Sequence, residues 1–412
     1  MEIVTQTNQT ITVDRDHYIV HNNSLYVDGS ILQIIGALSG AGVFLLLAMP
    51  SSDDEDTSIG LSWSDDDYAP SASYAVSGTD RADFFVDGDN SSKTATSTID
   101  LGRGNDRVVI SENAAENGSL SIDLGAGNDY AFFGDSAGKA GNLSIDSSDG
   151  DNQIYFADDV AEDNGSISIT VGQGDDILSF GIDAADEGGD ITIDLGGGNN
   201  SVSFGEYAGY SSARIDLTTG DGNDLVAFAD SAARRSGVIT MDLGDGRNNI
   251  SFADDTATIG GSLSITVGND EDWVSIGSRA ATSSGSISVT TAGGDDVIVF
   301  GANASQDGGS IQISAGDGAD IVQIGANAGA ANGTINIDLG NNDADADTVK
   351  LLGNATNVTI ANLESGDRLE FSGAITSAVA AGMTSLSTGT ASVSFNAVTG
   401  TLNNAGTVFT VS

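Results

Sequence analysis

Cysteine is absent from the 412 residues, and proline occurs only twice. Without Cys there can be no disulfide staple, thiolate nucleophile or Cys-based zinc site. Basic residues are equally scarce: 13 Lys+Arg face 60 Asp+Glu, a formal net charge of −47. Such a charge repels polyphosphate, so nucleic acid is excluded as a partner, and it opposes adsorption to anionic lipid. Histidine appears twice, as His17 and His21, without the Glu of a metalloprotease helix. Aromatics are 6% of the chain, yet hydrophobic residues reach 39%, too many for a disordered acidic tail. The chain is therefore expected to fold.

Residues 31–49 form an apolar run without charge, near the length that spans a bilayer. Gly36, Gly40 and Gly42 interrupt it, acidic residues flank it, and the chain starts Met1-Glu2 rather than with a basic leader. We read it as buried or intersubunit β-structure, with a membrane segment and an unusual export signal as alternatives. Membrane spanning is not the expectation. Catalytic signatures are missing too: there is no G-x-S-x-G, H-E-x-x-H or P-loop, and the chain reads as a non-enzyme.

What the sequence has in abundance is glycine, 55 residues, and a repeat. An Asp or Asn recurs in one setting at 83, 106, 129, 152, 176, 200, 224, 248, 272, 296 and 320, with a looser copy at Asp347. The steps are 23 three times and then 24 seven times. Before each reference position runs an alternating strand, such as Leu120-Ser-Ile-Asp-Leu124 or Leu263-Ser-Ile-Thr-Val267. After it comes a second strand with Phe or Ile four residues on: Ile110, Phe133, Phe156, Phe180, Phe204, Phe228, Phe252, Ile276, Phe300, Ile324. A corner of small residues closes the unit, with Ala137, Ala184, Ala208, Ala232, Ala280, Ala304 and Ala328 in one column.

Period-two alternation over four to six residues marks half-buried strands. A unit of 24 residues cannot bury its apolar face alone, so neighbouring units must stack. The fold expected is all-β: a parallel β-solenoid of eleven or twelve 24-residue coils with β-rich capping ends. Residues 75–350 carry the coils, 1–50 form an apolar N-terminal cap or assembly segment, and 351–412 a C-terminal cap. Residues 51–74, bracketed by Pro50 and Pro70 and rich in Asp, read as a linker.

Between the two strands lies a Gly-rich turn, as in Gly102-Arg-Gly104, Gly125-Ala-Gly127, Gly172-Gln-Gly174 and Gly220-Asp-Gly222, each followed shortly by the reference Asp. These turns resemble those of the repeats-in-toxin (RTX) β-roll family, though with one such turn per 24 residues instead of one per nine. Ser148, Asp270 and Ala292 replace turn glycines. The resemblance implies calcium, with Asp83, Asp106, Asp129, Asp176, Asp224, Asp272, Asp296 and Asp320 as ligands. Stacked Asp also repel one another, which cations would relieve. Because Asn152, Asn200 and Asn248 alternate with Asp, a hydrogen-bonded ladder without metal is the competing reading.

Two outward faces follow from the alternation. The first strand presents Ser121, Ser144, Ser168, Thr192, Thr240, Ser264 and Ser288, then Asp123, Asp146, Asp194, Asp242 and Asp338. The second presents Tyr130, Phe132, Tyr155, Ile177, Leu225, Trp273, Val297, Val299 and Ile321, an apolar stripe of the kind that marks association. Residues 357–373 and 391–402 resemble the segments that end RTX arrays, and Val408-Phe-Thr-Val-Ser412 resembles an uncleaved type I secretion signal. Taken with the repeat, that resemblance implies a secreted bacterial cell-surface protein, calcium-stabilised and self-assembling into a layer, filament or matrix. Its partners would be further copies of itself, with cell-surface polysaccharide as a second partner. An adhesin or ice-binding module using the Ser/Thr/Asp face is the alternative.

Overall fold

The structure, a computed structural model, describes residues 75–340, 345–377, 381–403 and 405–412, with Ser73 and three two-residue strands at Gln33–Ile34, Leu47–Ala48 and Thr57–Ser58. The expectations for His17, His21 and nearly all of 1–74 lie outside the described residues. Of the run 31–49, only the pairing of Gln33–Ile34 with Leu47–Ala48 is described. No helix among the described residues is long and apolar enough to cross a membrane. The chain divides into two compact units, residues 1–196 and 197–412. Both are built from the same coil, and the fold is an all-β parallel β-solenoid with about 12 coils of roughly 24 residues between 75 and 371.

In unit 1 the first strands of successive coils (Ala75–Thr79, Thr96–Gly102, Ser119–Gly125, Asn142–Ser147, Ser166–Thr170, Asp190–Asp194) pair in parallel to make one sheet. The second strands (Asp83–Asp87, Arg107–Ile110, Tyr130–Phe133, Gln153–Phe156, Ile177–Phe180) make the other. Register is kept from coil to coil, apart from a shift at Asp146/Ser147, because a one-residue slip would turn every Ile and Leu outward. Thr57–Ser58, inside the expected linker, pairs in parallel with Asp83–Asp87. Unit 2 repeats the arrangement from Ser201–Phe204 to Arg368–Phe371.

Side chains of both sheets alternate buried and outward, and the buried set forms the core. The Phe column stacks. In unit 1, Phe133, Phe156 and Phe180 lie 4.9 and 4.8 Å apart between centroids. In unit 2, Phe204, Phe228 and Phe252 lie 4.5 Å apart with rings 6° and 4° from parallel. The Ala column is fully buried, as are Val160 and Thr256, which take the same corner position in their coils.

That corner has a feature the composition does not announce. Ser231, Ala233, Arg235 and Ser236 all adopt positive φ, 68°, 52°, 54° and 64°, and the same positions in other coils do likewise. Such conformations are costly for residues with a Cβ. Interlocking hydrogen bonds offset the cost. Ser231 and Arg235 donate forward to Asp254 and Thr258 of the next coil, while Ala233 between them donates back to Ala208.

The expected coil boundary at 350 falls short. Thr348–Leu351 and Arg368–Phe371 pair in parallel across a shorter step, and the solenoid reaches Phe371. Antiparallel strands then end the pairing: Val408–Val411 on Arg368–Phe371, Gly400–Leu402 on Val408–Val411, and Met383–Ser387 on Ser392–Val398. Switching to antiparallel pairs with a three-residue edge strand and a bulge blunts the sheet edges.

Candidate functional site

The reference Asp/Asn column is inside the coil, each member 1–3% exposed. Along the column a side chain reaches back one coil, where its Oδ1 accepts the backbone N–H of the preceding column residue, while the first member, Asp83, accepts from Thr79. In unit 1, Asp83 donates to Asp106 (2.6 Å), Asp106 to Asp129 (2.7 Å), Asp129 to Asn152 (3.0 Å) and Asn152 to Asp176 (2.8 Å). In unit 2 the chain of donors runs Asn200, Asp224, Asn248, Asp272, Asp296, Asp320, Asp347 and finally to Asp367, at 2.7–3.0 Å. Asp367 escaped the sequence reading because its step from Asp347 drops to 20 residues.

The turn glycines stack for a steric reason. A Cβ on Gly127 would lie 1.6 Å from the carbonyl oxygen of Gly104, and one on Gly222 1.8 Å from that of Gly198. At Gly127 a φ of 143° adds a second reason. This close approach is what lets the following Asp reach the coil before it.

A carboxylate inside such a turn is poorly solvated. Burial raises Asp106 to about 7 against an ordinary 3.8, and the charges of Asp129 and Asp83 add to it, while the N–H of Asp83 opposes the shift. Burial likewise raises Asp272 to about 7, with Asp296 adding repulsion. Asp129 and Asp176 are raised to about 6, and Asp224 and Asp296 also upward, all chiefly by burial. The second oxygens of Asp106 and Asp272 are buried without a hydrogen-bond partner. Where the column holds Asn, Nδ2 instead donates to the carbonyl two residues earlier: Asn152 to Gly150 at 2.8 Å, Asn248 to Gly246 at 2.9 Å.

As a calcium site the column fits poorly. The ion requires six to eight oxygens around one point, whereas here single carboxyls are spaced one coil apart and each commits an oxygen to the backbone. Among the described residues no group of three or more His, Asp or Glu is gathered for a metal.

The apolar stripe is present as separate patches. In unit 1 the outward columns of the second sheet read Phe84, Arg107, Tyr130, Gln153, Ile177 and, beside it, Val86, Val109, Phe132, Tyr155, Ser179. Tyr130, Phe132 and Tyr155 are half-buried, Tyr130 and Tyr155 packing at 5.6 Å. The Arg107 guanidinium lies over both Phe84 (5.7 Å) and Tyr130 (4.6 Å). Phe84 and Arg107 were overlooked in the sequence although they sit 46 and 23 residues before Tyr130. In unit 2, Leu225 stands alone between Ser201 and Asn249, while Trp273, Val297, Val299 and Ile321 cluster. Ile177, Leu225 and Trp273 are 39%, 48% and 47% exposed.

The opposite face is the hydroxyl and carboxylate array. In unit 1, Thr98, Ser121, Ser144, Ser168 and Thr192 align without a break, next to Asp100, Asp123 and Asp146. In unit 2, Asp216, Gln312 and Asn336 interrupt the hydroxyl column. No protein-family model, curated protein or solved structure matches this chain.

Proposed function

We propose that this chain is a non-catalytic structural protein that associates laterally with copies of itself. The observation that carries the reading is the exposure of Ile177 on the outward face of the second sheet in unit 1, and of Leu225 and Trp273 on that of unit 2, in an acidic chain. Large apolar side chains left in water, with half-buried Tyr130, Phe132 and Tyr155 near Ile177 in unit 1, are what an association surface needs. The regular coil, whose polar columns are spent on backbone hydrogen bonds, suits a structural role better than a reactive one.

The setting we propose is extracellular, at the cell surface, on the strength of the C-terminal resemblance to an export signal. Calcium enters as a counter-ion. A shallow groove in unit 2 is lined by Asn269, Asp270, Glu271, Asp295, Asp317 and Asp345, among others, and copies this acidic must be screened before they can meet. Electron microscopy and light scattering of the purified protein, with and without millimolar calcium, test the proposal. Ordered assemblies that grow with calcium support it, and strictly monomeric particles in both conditions refute it. The aligned hydroxyls Thr98 to Thr192 favour a second reading, a glycan-binding face, which glycan arrays would reveal.

A further inference from the structure

Arg107 is the one cation among the described residues whose guanidinium lies over two aromatic rings. Lys93, Lys139, Arg214, Arg247, Arg279 and Arg368 each hold an Asp or Glu. Arg107, exposed in a chain with 60 acidic residues, takes no ion pair among the described residues, and neither do Arg81, Arg103, Arg234, Arg235 and Lys350. The Arg107 guanidinium is instead held between the rings of Phe84 and Tyr130, flanked by half-buried Val86, Val109 and Phe132. Contact with two rings restricts the side chain, so less of its entropy remains to be lost when an anion docks.

Its complement lies on the other sheet of the same unit. Asp100, Asp123 and Asp146 are exposed, stand in register on three successive coils, and form no ion pair among the described residues. Strand spacing sets them about 4.8 Å apart, close enough for like charges to repel unless a cation sits against them. Thr98, Ser121 and Ser144 supply hydroxyls alongside.

Resting on the self-association reading, we infer that the Phe84–Arg107–Tyr130 clamp of one copy docks on the Asp100–Asp123–Asp146 column of a second copy. Charge complementarity selects this partner. A second copy is also matched in pitch, because both surfaces repeat once per coil of the same fold. The two surfaces differ, so the contact is heterologous. Every docked copy leaves one clamp and one column open, and growth continues instead of closing at a dimer.

The experiment uses two full-length variants in sedimentation equilibrium. Arg107→Glu keeps the column and loses the clamp; Asp100→Asn/Asp123→Asn/Asp146→Asn keeps the clamp and loses the column. All these positions are exposed, and unchanged circular dichroism establishes that both variants fold. The wild type is expected to grow in mass with concentration and to weaken as NaCl is raised. Either variant alone should associate at least tenfold more weakly, while an equimolar mixture gives a 1:1 complex and nothing larger. Arg107→Lys, which keeps charge but loses the planar guanidinium, should fall between. If the wild type associates and Arg107→Glu matches it, the inference fails while self-association stands. A wild type that stays monomeric overturns both, and so does one that remains monomeric while binding polygalacturonate through Arg107.

Discussion

Replacing Asp106 by Asn should stabilise the protein at neutral and alkaline pH. Folding moves this carboxyl from an ordinary 3.8 to about 7, chiefly by burial. Between those values the folded coil holds a proton that the unfolded chain has released. Stability therefore falls as pH rises through the window and reaches its floor above about 7. A displacement of that size corresponds to roughly 4 kcal/mol of penalty on the alkaline side, and to none below the unfolded value. Asn keeps the acceptor that Asp83 uses. Its Nδ2 would meet the Gly104 carbonyl, as Asn152 meets Gly150 at 2.8 Å, in place of a buried oxygen that now has no partner. The assay is urea denaturation followed by circular dichroism, in EDTA, from pH 4 to pH 9. The wild-type midpoint should decline toward pH 8 and the variant's should decline less, the gap reaching a few kcal/mol. A variant less stable than the wild type at pH 8, or a wild type that gains stability as pH rises from 5 to 8, would refute the burial argument.

Phe228→Ala removes the middle ring of the stack between Phe204 and Phe228's other neighbour, Phe252. It should cost about 3–5 kcal/mol in the same denaturation assay. Gly222→Ala forces a Cβ to within 1.8 Å of the Gly198 carbonyl oxygen. That contact must push two coils apart, so the urea midpoint should drop markedly, whereas Gly406→Ala, with open space around it but φ 67°, should cost only about 1 kcal/mol. Trp273→Ser removes a 47% exposed side chain. Thermal stability should stay within about 0.5 kcal/mol of wild type while light scattering reports weaker association.

The repeat was legible because stacking imposes identity at fixed spacing. Ile122, Ile145 and Ile169 recur at one position since each must fill the same slot of the core, one coil further on. The turn glycines could likewise be read as structural, since Gly104 and Gly127 lie directly above one another. The last coil was harder to see. Asp367 keeps its place in the ladder on a step of 20, and period alone cannot find a member whose loop has shortened.

Sequence by itself determined the coil: its length, its two strands, which face of each is apolar, and the column of Asp and Asn. These are local consequences of alternation and turn chemistry. Tertiary structure decided what the column does, because whether a carboxyl faces an ion, water or a backbone N–H depends on the coil beside it. It also set the left-handed corner at Ser231–Ser236, where Ala and Arg adopt positive φ that no single residue preference dictates and only hydrogen bonds from both neighbouring coils sustain. The Phe84–Arg107–Tyr130 clamp belongs to the same class, assembled from three coils whose residues lie 23 positions apart and meet only when those coils stack.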